Sequence, residues 1–131
     1  MTREIWVEVE LSSVEDAKRP FTLRALVDNG STESAFPGSV LRDIGVHPEG
    51  WETYESWAGK THRRRWGHVR IEIYGVSRIC VATFEPEAEV PTIGATTLEA
   101  LGFDINMRDG GLRPFRRRAP RIRRRPGRRL R

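Results

Sequence analysis

Apolar and polar residues alternate from the start of the chain: Ile5, Val7 and Val9 interleave with Trp6, Glu8 and Glu10. That period of two predicts a strand with one wetter face. The polar stretch "SSVEDAKRP" reads as a loop, and "FTLRALV" as a second strand. The latter turns wholly apolar at Ala25-Leu26-Val27, as strands do on entering a core. "SAFP" is short and extended. In "GSVLRDIGV" the spacing becomes helical, with Val40, Leu41 and Ile44 on one face and Gly45 as the stop.

The second half continues mostly as strands. "WETYESW" and "RRRWGHVRIEIYG" alternate on either side of the turn "AGKT", and "VSRICVATFEP" follows a tight turn at Tyr74-Gly75. "VPTIGATTLEALGFDINM" predicts a short apolar approach to Gly94, a helix from Thr96 to Leu101 and a closing strand. No repeat of solenoid period occurs. The pattern therefore predicts a mostly β, mostly antiparallel domain with one or two short helices.

Charge divides the chain. Residues 113–131, "RPFRRRAPRIRRRPGRRLR", hold 11 of the 23 Lys and Arg residues and no acid. Before Arg113 stand 12 basic and 18 acidic residues, so a mildly acidic part precedes a strongly basic one. Self-repulsion and three prolines keep the basic part from burying a core of its own. The expected division is a folded domain over 1–112 and a disordered Arg/Pro-rich tail over 113–131. No run of about 18 apolar residues is present, so no membrane partner is expected. "MTREIWVEVELSS" lacks signal-peptide features, and Cys80 stands alone. Both point to a cytoplasmic protein.

The candidate chemistry sits in "ALVDNGSTESAF", Ala25 to Phe36. Locally, Asn29-Gly30 is a strong hairpin signal, with Asp28 merely leading into the turn. Alternatively, Asp28 is a carboxylate held at the end of a buried strand. An apolar strand entering Asp-x-Gly-Ser/Thr, then a short strand and a helix, resembles the active-site loop of retropepsin-like aspartic proteases. "SWAGKTHRRRWGHVRIEI" resembles the flap hairpin of the bacterial members, with Trp57-Ala58-Gly59 at its tip. "VPTIGATTLEALGFDIN" resembles the second half of that fold, where Gly94 precedes a helix ending in Leu-Gly. The resemblance covers Ile5 to Leu112.

The resemblance implies a closed β-barrel of the acid-protease half type and an aspartic endopeptidase, a hydrolase of peptide or protein substrates. Asp28 is the implied catalytic residue. Asn29, Gly30 and Ser31 form its loop, and Trp57, Ala58, Gly59 and Lys60 the flap over the substrate. Ile93 and Gly94 pack behind the loop. The chemistry needs two carboxylates that share a proton, one as base on a water and one polarising the carbonyl. Asp109-Gly110-Gly111 lacks both the middle residue and the preceding apolar strand, so the motif occurs once. A protease built from this chain must then be a homodimer with one Asp28 from each subunit. No metal or organic cofactor is implied. Where the family has Thr or Ser, whose hydroxyl bonds across the dimer, this chain has Asn29. A catalytically weak or inactive peptide-binding or dimerisation module of the same fold is the rival reading.

Other residues carry plainer expectations. His47, His62 and His68 lack paired ligand spacing. Cys80, in "RICVATF", is expected to be a buried small hydrophobe. Ser31 and Ser34 have no histidine partner for nucleophilic chemistry. Trp6, Trp51 and Trp66 are expected in core or interface packing. The Arg-rich segment has three candidate roles: nonspecific nucleic-acid binding by counterion release, occupation of the acidic domain's cleft, or a solvated extension.

Overall fold

The computed structural model describes residues 4–106, 108–115 and 126–127. Strand β1 (Trp6–Ser12) buries Val7, Val9 and Leu11 and leaves Trp6 and Glu8 outside, as its alternation requires. It pairs antiparallel with β2 (Phe21–Val27), from Trp6↔Leu26 to Leu11↔Phe21. Each fully buried Leu, Ile or Val contributes about 1.5–3 kcal/mol, and the three core positions of β1 tie it to both neighbours.

After β2 the chain forms β3 (Ser34–Pro37), α1 (Gly38–Asp43) and the edge strand β4 (Gly50–Glu55). Helix α1 buries Leu41, and Gly45 N–H returns to the Arg42 carbonyl at 3.0 Å. Then come the longest strands, β5 (Thr61–Ile73) and β6 (Val76–Glu85), paired antiparallel from Trp66↔Thr83 to Ile73↔Val76. Tyr74 at φ 51° makes half of their two-residue turn. β5 overshoots β6, and its first half pairs instead with β4, from Gly50↔Trp66 to Glu55↔Thr61. A short β7 (Thr92–Ile93), α2 (Ala95–Leu101), β8 (Phe103–Asn106) and β9 (Gly111–Pro114) follow, the last two as a separate two-stranded sheet.

The main sheet runs β1-β2-β7-β3-β6-β5-β4, and β1 also pairs β5 from Glu10↔Glu72 to Ser12↔Arg70. The pairing is mostly antiparallel, as the pattern predicts; β2–β7 and β3–β6 are the parallel exceptions among the described residues. The expected closed barrel is met in its coarser form, a mostly β chain with a mixed sheet and two short helices. Its middle is thin, because β7 offers only two residues, pairing β2 at two positions and β3 at one.

The core lies between the sheet's inner face and the helices: Phe36, Leu41, Val69, Ile71 and Ile93 are fully buried. Cys80 joins it, and burial pushes its thiol pKa up. Trp51 does not, staying 52% exposed on the edge strand β4 beneath Arg63 and Arg65. β9 spans the boundary expected at Leu112. Residues 116–125 and 128–131, most of the expected disordered tail, lie outside the described residues. Among the described residues no helix is long and apolar enough to cross a membrane.

Candidate active site

Because β7 lies between β2 and β3, Asp28-Asn29-Gly30 is not the turn of a hairpin. The loop instead leaves the end of a core strand. Val27 N–H donates to the Ile5 carbonyl at 2.8 Å, and Asp28 N–H to the Ile93 carbonyl at 2.9 Å. The strand's last residues are thus clamped on both sides, and the half-buried Asp28 side chain starts from a fixed backbone.

Local hydrogen bonds aim that carboxylate. Gly30 N–H donates to Oδ1 at 2.9 Å and the Ser31 hydroxyl to Oδ2 at 3.3 Å. Each gives a donor to a carboxylate oxygen, so the two bonds fix where the carboxyl group points. Ser31 N–H also donates to the Asp28 carbonyl at 3.1 Å, closing the loop on itself.

Behind the loop sits a latch. Gly94 is buried, and a Cβ there would lie 2.4 Å from the Glu33 carbonyl oxygen and 2.9 Å from that of Ser31. Only glycine fits so close to another backbone. Ala95 N–H donates to the Ser31 carbonyl at 2.8 Å and Thr96 N–H to the Thr32 carbonyl at 3.0 Å. Gly94 N–H donates to Ser34 Oγ at 3.1 Å, and that hydroxyl bonds the Thr97 hydroxyl at 2.6 Å, both side chains fully buried. Ile93, fully buried, anchors the latch in the core.

Asp28, Gly30 and Ser31 line a cleft of about 630 Å³ with Tyr54 and Trp57. Trp57 is 95% exposed, yet its Cζ2 would meet a Cβ built on Gly30 at 3.4 Å. The hairpin tip therefore overhangs the loop. Gly59 N–H donates to the Ser56 carbonyl, and Ser56 N–H to the Lys60 carbonyl, making the turn. Ala58, Gly59 and Lys60 sit on that turn without lining the cleft. Asn29 also lies apart: it borders a neighbouring cavity with Leu98, Phe103 and Phe115. Its side chain has no hydrogen-bond partner among the described residues.

Sequence reasoning missed several residues of this cleft. Tyr54 donates its hydroxyl to Glu33 Oε2 at 2.5 Å, joining the hairpin to the loop. Burial and that bond push the tyrosine pKa up. Arg64 pairs with Glu85 at 3.0 Å, and Thr83 donates to the same carboxylate at 2.7 Å. The alternation of "WETYESW" placed Tyr54 on one strand face without naming Glu33, 21 residues away, as its partner. No protein-family model matches the chain, and no curated protein matches it in sequence.

Proposed function

We propose that this chain is one half of a dimeric aspartic endopeptidase of the retropepsin-like type. The observation that carries the reading is the seat of Asp28. Its carboxylate stands at the end of a clamped core strand, held by two local donors, with an aromatic hairpin tip above it. The latch at Gly94, the overhanging β4–β5 hairpin and the double pairing of β1 with β2 and β5 support reading the sheet as a small acid-protease half-barrel.

Two such loops facing each other across a two-fold axis would bring the Asp28 carboxylates together. Like charges that close do not both ionise readily, so the pair keeps one proton. The ionised Asp28 takes a proton from water, whose oxygen attacks the scissile carbonyl carbon. The protonated Asp28 donates to the carbonyl oxygen. Collapse breaks the C–N bond, and the amine leaves with the proton. The Trp57 hairpin covers the extended peptide and keeps bulk water from the reaction. The setting we assign is cytoplasmic.

The orientation of Asn29, away from the cleft, favours the second reading, a peptide-binding module in which the cross-dimer contact of the family is missing. Incubating the purified protein with a diverse peptide mixture between about pH 4 and 7 separates the two. The protease reading expects cleavage that Asp28→Ala abolishes. Binding of the same peptides without cleavage, by a dimer, would replace it with the module.

A further inference from the structure

The cleft has an unusual charge for a site that holds an extended peptide. Five carboxylates line it, those of Asp28, Glu33, Glu55, Glu85 and Glu89, against only His62 and Arg64 as basic residues. The Arg64 charge is matched by Glu85, and the Tyr54 hydroxyl occupies Glu33. Glu55 and Glu89, both exposed, have no side-chain partner among the described residues. The cleft therefore faces a ligand with uncompensated negative charge, focused between the apolar walls of Trp57 and Ala35. An apolar strand gains nothing from that arrangement. A cationic one does.

The chain carries a segment of that charge. Residues 113–131 hold 11 arginines and no acid. Phe115 lines the same small cavity as Asn29, so the segment sets out beside the loop that carries Asp28. Sixteen residues follow Phe115, and an extended chain of that length reaches roughly 50 Å. Distance is no obstacle. Arg63 and Arg65, gathered over Trp51 nearer the base of the β4–β5 hairpin, repel the same segment.

We propose that the cleft selects arginine-rich extended peptide, and that its resident occupant is residues 113–131 of this chain, from the same or a second copy. The inference rests on the cleft being a peptide site. It does not require that Asp28 cut anything. Its consequence is self-occlusion: an external substrate must displace the basic segment, and substrates with clustered arginines compete best.

Amide chemical shifts of the full-length protein test it. The comparison is with a variant in which every arginine of 113–131 is Gln, at about 0.05 and 0.5 M salt. We expect the amides of Glu55, Ser56 and Glu89 and the Trp57 indole N–H to differ between the two chains at low salt. High salt should erase the difference, while Val9 and Ile71 stay unchanged in both. Identical cleft shifts at low salt would overturn the proposal, as would differences confined to Arg42 and Trp51. As a second arm, a synthetic peptide of residues 113–131 is titrated into the glutamine variant, with and without Glu55→Gln and Glu89→Gln. The paired substitutions should weaken binding about tenfold, and equal affinity would contradict the proposal. Cleavage without cleft occupancy would sink this inference alone, and occupancy without cleavage would sink only the protease.

Discussion

The loop that carries Asp28 and the hairpin tip that carries Trp57 face each other across one cleft and are built in opposite ways. The loop is clamped by β1 and β7, backed by Gly94 and tied by a buried Ser34–Thr97 pair. The tip, Ser56 to Lys60, bonds only within its own turn and exposes nearly all of Trp57. Among the described residues their one side-chain hydrogen bond lies lower on the hairpin, from Tyr54 to Glu33. The difference suits the roles proposed for the two regions. A catalytic group would need a fixed position, because about 1 Å of displacement can cost about 100-fold in rate. A cover would have to yield to let a peptide enter, with its stability kept local.

The sharpest way to break that contrast is Gly94→Ala. The new methyl meets carbonyl oxygens of the loop backbone, which have nowhere to move. We expect a loss of about 3 kcal/mol or more, or no folded protein, by urea unfolding. Ser34→Ala is gentler: it strands the Gly94 N–H and the Thr97 hydroxyl in the interior, for about 1–3 kcal/mol. On the other side of the cleft the expectations invert. Gly59 has φ +76° and open space around it, so Gly59→Ala costs about 1 kcal/mol through backbone strain alone. Trp57→Ala should leave the unfolding midpoint nearly unchanged, within about 0.5 kcal/mol, and lower peptide affinity about tenfold. A large stability loss there would mean that the tip is structural, erasing the contrast.

The Tyr54–Glu33 link gives the smallest effect, with a defined sign. The unfolded chain releases the tyrosine proton near pH 10.0, whereas the folded chain holds it to higher pH. The hydroxyl's contribution is therefore complete below pH 10 and lost as pH rises above it. Stability of the parent protein should fall in that alkaline range, and Tyr54→Phe should flatten the fall. An unchanged slope would place the hydroxyl in water, off Glu33.

Much of this was legible in the sequence because period-two alternation is local: β1, β5 and β6 fall where their apolar residues recur. Helix α2 was expected one residue later than it starts, and Gly45 stops α1 as its position implied. The order of strands was not legible. β7 is two residues long, too short for any periodicity, yet it separates β2 from β3 and adds a parallel pairing to the sheet. The same holds for the site. Asp28, Gly30, Ser31 and Trp57 converge from recognisable motifs, whereas Ser34 and Thr97 are 63 residues apart and look like ordinary loop and helix polar residues. Trp51 is not in the core because β4 is an edge strand: it stays half exposed, with Arg65 directly across from it in the β4–β5 register and Arg63 on a diagonal, both over its ring.

On the proposed reading, one functional site takes Asp28 from each of two chains. Refolding parent and Asp28→Asn chains together in equal amounts, at constant total protein, tests it directly. If both carboxylates are required, random pairing leaves about one quarter of the dimers active, so peptide cleavage falls to about one quarter of the parent rate. A fall to only about one half would mean that each chain works with its own Asp28, and the paired-carboxylate account would be wrong.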